Sequence, residues 1–78
     1  MEKYSSCLVV VKEGELKTLQ SLFAKSEEIQ SVNEISPRLV LITFQRQLDR
    51  QGIERTLSPF EDKIERWQPN YRMRPLTG

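Results

Sequence analysis

Histidine is missing from this chain of 78 residues, and cysteine occurs once, at Cys7. Without histidine there is no Ser-His-Asp or Cys-His activation of a nucleophile, and the common zinc ligand sets are lost as well. A single thiol cannot close an internal disulfide, which excludes the framework of small disulfide-stapled secreted domains. Glycine is scarce: Gly14, Gly52 and Gly78 stand alone, so no Gly-rich loop is available to cradle a phosphate. The longest apolar run has five residues, Cys7-Leu8-Val9-Val10-Val11, where a membrane-spanning helix needs about 18. The opening Met1-Glu2-Lys3-Tyr4 lacks the apolar core of roughly 7–15 residues that marks a secretory signal. A cytoplasmic, reducing setting is therefore expected. Neither sign of charge dominates: 12 Lys and Arg against 11 Asp and Glu leave a net charge of +1. Such a chain has no global field for polyanions, and nucleic-acid binding would need a local patch. With no base, nucleophile pair or ligand cluster, neither an enzyme nor a bound metal or cofactor is expected.

What the chain does have is material for one small core, at a size where stability is marginal. Its centre is Leu39-Val40-Leu41-Ile42-Thr43-Phe44, apolar on both sides and rich in β-branched and aromatic residues. That pattern predicts a strand in the middle of a sheet. Cys7-Leu8-Val9-Val10-Val11 has the same character and is its natural neighbour. Cys7 reads as a small core residue, because nothing adjacent would lower its pKa. Between the two runs, Leu16, Leu19, Leu22 and Phe23 form one stripe on a 3.6-residue period and predict a helix over 15–25, with Gly14 as its N-cap. Glu27-Glu28 is a solvated helix end and not a metal pair, since neighbours on a helix point about 100° apart. Residues 29–35 predict a weaker, exposed strand that turns at Ser36-Pro37-Arg38 into the central one.

Asp49 can cap a second helix over Arg50–Leu57, with Ile53 and Leu57 on one face. Gly52 weakens it by about 1 kcal/mol relative to alanine. The next stretch carries two conflicting signals. Ser58-Pro59-Phe60-Glu61 is a capping-box sequence with proline at the first helical position. Phe60, Ile64 and Trp67 continue it at helical spacing, so local pattern favours a helix over 59–67. The expected core is Leu8, Val10, Leu16, Leu19, Leu22, Phe23, Leu39, Leu41, Ile53 and Leu57.

Ile64-Glu65-Arg66-Trp67-Gln68-Pro69-Asn70-Tyr71 resembles the last strand of subtilisin propeptides and of the free-standing propeptide-like proteinase inhibitors. Leu8-Val9-Val10-Val11-Lys12-Glu13-Gly14 is similar to that family's first strand and its turn into a helix. Leu48-Asp49 with Ile53 and Leu57 resembles the second helix. The resemblance implies an α+β, ferredoxin-like βαββαβ fold with a four-stranded antiparallel sheet and two helices on one face. It makes the stretch beginning at Ile64 the last strand, against the local helical pattern, and 70–78 an extended C-terminal tail of a single domain 1–78. In function it implies an inhibitor, or a folding chaperone, of a subtilisin-type serine proteinase. Members set the sheet on the enzyme and thread the tail into the substrate cleft, a form of β-strand addition. The partner-binding residues would be Tyr71, Arg72, Met73, Arg74, Pro75 and Leu76. Leu76 then falls near the family's terminal position, with Met73 three residues earlier.

Two other classes compete. Arg66, Arg72 and Arg74 interleave with Trp67 and Tyr71, which offers guanidinium and aromatic surfaces to a nucleic acid. Against this, Glu61, Asp62 and Glu65 lie close by, and aromatic sheet motifs of RNA-binding domains are absent. The third class is an oligomerising regulatory module that buries its open sheet face in a dimer. The missing ligand residues carry a direct expectation: dialysed protein should retain no zinc by atomic absorption, and stoichiometric metal would contradict it.

Overall fold

The apolar run 7–11 lies inside an eight-residue strand, β1 (Tyr4–Val11), and the run 39–44 inside β3 (Leu39–Leu48). The two pair antiparallel, with Leu8 opposite Leu41 and Val10 opposite Leu39. The computed structural model describes residues 2–70. Its elements run β1, α1 (Leu16–Ala24), β2 (Ile29–Ser36), β3, α2 (Arg50–Leu57), a 3-10 segment (Ser58–Lys63) and β4 (Ile64–Pro69). Every pairing is antiparallel and the sheet order is β2-β3-β1-β4, so the two apolar strands are central and adjacent. This is the α+β, ferredoxin-like βαββαβ arrangement. No helix among the described residues is long and apolar enough to cross a membrane.

Local chemistry accounts for the connections. Lys12-Glu13-Gly14-Glu15 closes a turn in which the Glu15 N–H donates to the Lys12 carbonyl at 3.1 Å. Gly14 has φ 81°, a left-handed value that is cheap only for glycine. Gly14 is thus the turn residue, and the N-cap of α1 is Glu15, with no side-chain cap bond. The second helix is capped as its sequence predicts, Asp49 accepting from the Gly52 N–H at 2.7 Å. The hairpin from β2 to β3 turns at Pro37-Arg38, and Ser36 faces Leu39 across it. Register irregularities interrupt β2 at both ends, between Ile29 and Ser31 and between Glu34 and Ser36.

The segment with conflicting signals divides between them. Its capping-box start makes a 3-10 turn, which Phe60 holds in place by meeting Phe23 edge-on, ring centroids 4.9 Å apart. From Ile64 the chain is extended. A helix continuing to Trp67 would leave one edge of β1 without hydrogen-bond partners in the middle of the domain, and unpaired buried backbone groups are costly. The pairing Leu8–Gln68, Val9–Trp67 and Val10–Arg66 overrides the local preference.

One expectation is reversed. The core contains Cys7, Val9, Val11, Val40, Ile42 and Phe44 from the central strands, packed against Leu19, Phe23, Ile53 and Leu57 from the helices. Leu8, Val10, Leu39 and Leu41, expected in the core, lie on the opposite face and are only half-buried. Side chains on a strand alternate between faces, so the error in phase moved the whole set together. Leu16 and Leu22 are also only partly covered, whereas Leu19, Phe23, Ile53 and Leu57 are buried as expected. The correct phase implies a stability contrast. Ile42→Ala should cost about 2–5 kcal/mol in denaturant unfolding, as large-to-small core changes do. Leu41→Ala, one residue away, should cost far less, and equal losses would contradict the assignment of faces.

Candidate protein-docking face

The four half-buried residues meet in the middle of the face that carries no helix. Cross-strand pairing sets them in two rungs. One runs Asn33, Leu41, Leu8, Gln68 from β2 to β4, and the other runs Ser36, Leu39, Val10, Arg66. Each rung is polar, apolar, apolar, polar. The result is a small apolar centre with a polar border, the composition of a protein-contact patch. An open groove of about 820 Å³ lies over part of it, with Leu8, Val10, Leu39 and Arg66 in its lining.

Arg38 closes one end of this face. Its Nε donates to the Val11 carbonyl at 3.0 Å and its Nη2 reaches the Glu65 carboxylate. The guanidinium therefore ties the β2–β3 turn to β1 and β4. Both side chains are about half exposed, 49% and 51%, so the ion pair orders the rim and contributes little to stability. At the other end the last strand is tied down beyond its final residue. The Asn70 backbone N–H donates to the Ser6 carbonyl at 3.0 Å, and Asn70 Nδ2 donates to Ser6 Oγ at 3.0 Å. Asn70 is thus held to β1 by two bonds.

The expected partner-binding residues Tyr71, Arg72, Met73, Arg74, Pro75 and Leu76 lie outside the described residues. Of the arginine–aromatic set offered for nucleic acid, Arg66 and Trp67 fall on opposite faces of β4. Arg66 sits opposite Val10 on the open face. Trp67 sits opposite the buried Val9, packs against the core and carries Arg50 of α2 above its ring, 5.5 Å from the centroid. That cation–π contact is worth about 0.5–1 kcal/mol at an exposed site.

The residues that occupy the open face differ from the sequence expectation, although a signal for them is present. In β1, Leu8 and Val10 share their phase with Ser6 and Lys12, and in β3, Leu39 and Leu41 share theirs with Thr43 and Gln45. The competing phases end in Cys7 and Phe44. The chain has no significant match to a protein-family model, a curated protein or a solved structure.

Cys7 has no part in this face. It is fully buried, and burial raises its thiol pKa from 9.0 to about 12. The thiol should react with Ellman's reagent only on unfolding, and rapid native-state labelling at pH 8 would contradict its burial. The sign for stability follows. Above the ordinary thiol pKa the unfolded chain releases this proton and the folded one keeps it, so stability falls as pH rises from about 9 towards about 12.

Proposed function

We propose that this chain is a propeptide-like inhibitor, or folding chaperone, of a subtilisin-type serine proteinase. In this reading it binds through the open sheet face and places residues 71–76 in the substrate cleft. The observation that carries the reading is the relation between the patch and the exit of the chain. An apolar-centred, helix-free face lies beside the edge strand β4, and Asn70 is anchored on Ser6 where the chain continues into Tyr71. A partner covering the face would receive the following segment in a set direction. Pre-orienting an extended segment on a folded domain lowers the ordering cost that a free peptide incurs.

The sequence beyond the anchor suits this role. Tyr71-Arg72-Met73-Arg74 alternates apolar and cationic residues, so an extended segment would show Met73 to the partner and turn its arginines to the rim. Pro75 restricts its own backbone and that of Arg74 to extended conformations. Leu76 then supplies the second apolar anchor. The nucleic-acid reading loses its closest pairing, since Arg66 and Trp67 face opposite ways.

Titration of a subtilisin-type proteinase with the chain tests this, expected to give saturable inhibition with defined stoichiometry. Burial of one apolar side chain of this size is worth roughly 1.5–3 kcal/mol, so Leu76→Asp should weaken inhibition by about ten- to more than a hundredfold. Arg72→Ala should matter much less, because a rim charge mainly alters the association rate. Thermal stability should stay unchanged in both, since the described core runs from Cys7 to Ile64. Inhibition that survives removal of residues 73–78 would show that the cleft is not where the tail acts.

A further inference from the structure

The open face carries one charge that its own neighbours do not use. Three ionised groups line the groove: Arg38, Glu65 and Arg66. Arg38 and Glu65 are paired with each other. The Arg66 side chain has no hydrogen bond, ion pair or ring contact among the described residues, and it stands at the end of a rung beside Val10 and Leu39. Any body that covers Leu8, Val10, Leu39 and Leu41 also takes water away from this guanidinium. A cation buried without a partner is strongly disfavoured, and a guanidinium is best satisfied by the two oxygens of a carboxylate.

We infer that the surface which covers the open face is apolar and presents one side-chain carboxylate to Arg66. The inference rests on the reading of this face as the docking surface for a proteinase and adds the chemistry of that surface. A second copy of the chain fits poorly, because the one carboxylate in its groove, Glu65, is already held by Arg38. A wholly apolar occupant would strand the charge. A nucleic acid would satisfy Arg66 through a phosphate, but Leu8, Val10, Leu39 and Leu41 at the centre of the face offer no aromatic ring for base stacking, and Trp67 at the groove's edge packs on the core. Leucine and valine at the centre with arginine at the border thus select a protein partner bearing an acid.

Arg66 is exposed, so substitutions there should fold normally, which circular dichroism can check. Inhibition constants for wild type, Arg66→Gln, Arg66→Met, Arg66→Glu and Leu41→Asp are measured against one subtilisin-type proteinase at low and high salt. Arg66→Gln and Arg66→Met are expected to weaken inhibition by about thirtyfold or more, and Arg66→Glu by more than either. Wild type should lose more affinity with salt than Arg66→Gln does. Loss in Leu41→Asp with all three Arg66 variants equal to wild type would overturn the carboxylate contact and leave the docking face standing. Tighter inhibition by Arg66→Met would overturn it in favour of an apolar occupant. Absence of inhibition by wild type would remove both the docking reading and this contact. Salt-sensitive binding to single-stranded RNA that Arg66→Glu abolishes would reassign the contact to phosphate and overturn it.

Discussion

The backbone of β1 must be hydrogen-bonded along both edges, and the rest of the domain is arranged to meet that requirement. Its run Cys7–Val11 has β3 on one side and β4 on the other, so the first and last strands of the domain are neighbours. The requirement explains why a sequence with a good helix start at Ser58 turns to strand at Ile64. A capping box and a proline at the first helical position stabilise a helix end by about 1 kcal/mol. Leaving several buried donors and acceptors of a central strand unpaired would cost more than that. The 3-10 turn at Ser58–Lys63 is what remains of the local preference, and Phe60 gives it a place by resting on Phe23.

The same constraint joins fold to site. Because β4 lies directly against β1, Gln68 and Arg66 complete the rungs begun by Asn33 and Ser36. The border of the open face is therefore assembled from the two outer strands, and its apolar centre from the two inner ones. Asn70, just past β4, falls beside Ser6 and donates two bonds to the same strand that supplies Leu8 and Val10. Patch and exit point share one support.

Much of this architecture is legible in the sequence. The central runs, the Leu19–Phe23 stripe, the Asp49 cap and the Pro37-Arg38 turn each have a local cause, and each appears where that cause lies. The facing of the central strands was harder to read, for a physical reason. With Leu8, Val9, Val10 and Val11 all apolar, period-two alternation has no contrast inside the run. Contrast comes only from Lys12, which flanks this run, and from Thr43 in the partner run, and both mark the same phase as the outer one. The pairing of Arg38 with Glu65 joins residues 27 apart in sequence, which no local pattern reports. Arg66 was visible as part of an arginine–aromatic cluster, but its separation from Trp67 follows only from knowing that β4 is a strand.

The irregular ends of β2 bear on how the molecule behaves in crowded solution. This strand forms one outer border of the sheet, and it carries the one exposed large hydrophobic side chain among the described residues, Ile35, at 54%. A flat border with regularly spaced amides could recruit the same strand from another molecule and grow into a fibre. Here the interruptions between Ile29 and Ser31 and between Glu34 and Ser36 confine the regular ladder to Ser31–Glu34. Extra residues of this kind increase local twist and turn donors and acceptors out of line. The stretch left to template another strand is shorter than the six or seven residues typical of a steric zipper, and Glu34 within it adds a negative charge. A strand too soft to announce itself strongly in the sequence is, by the same softness, a poor seed for aggregation.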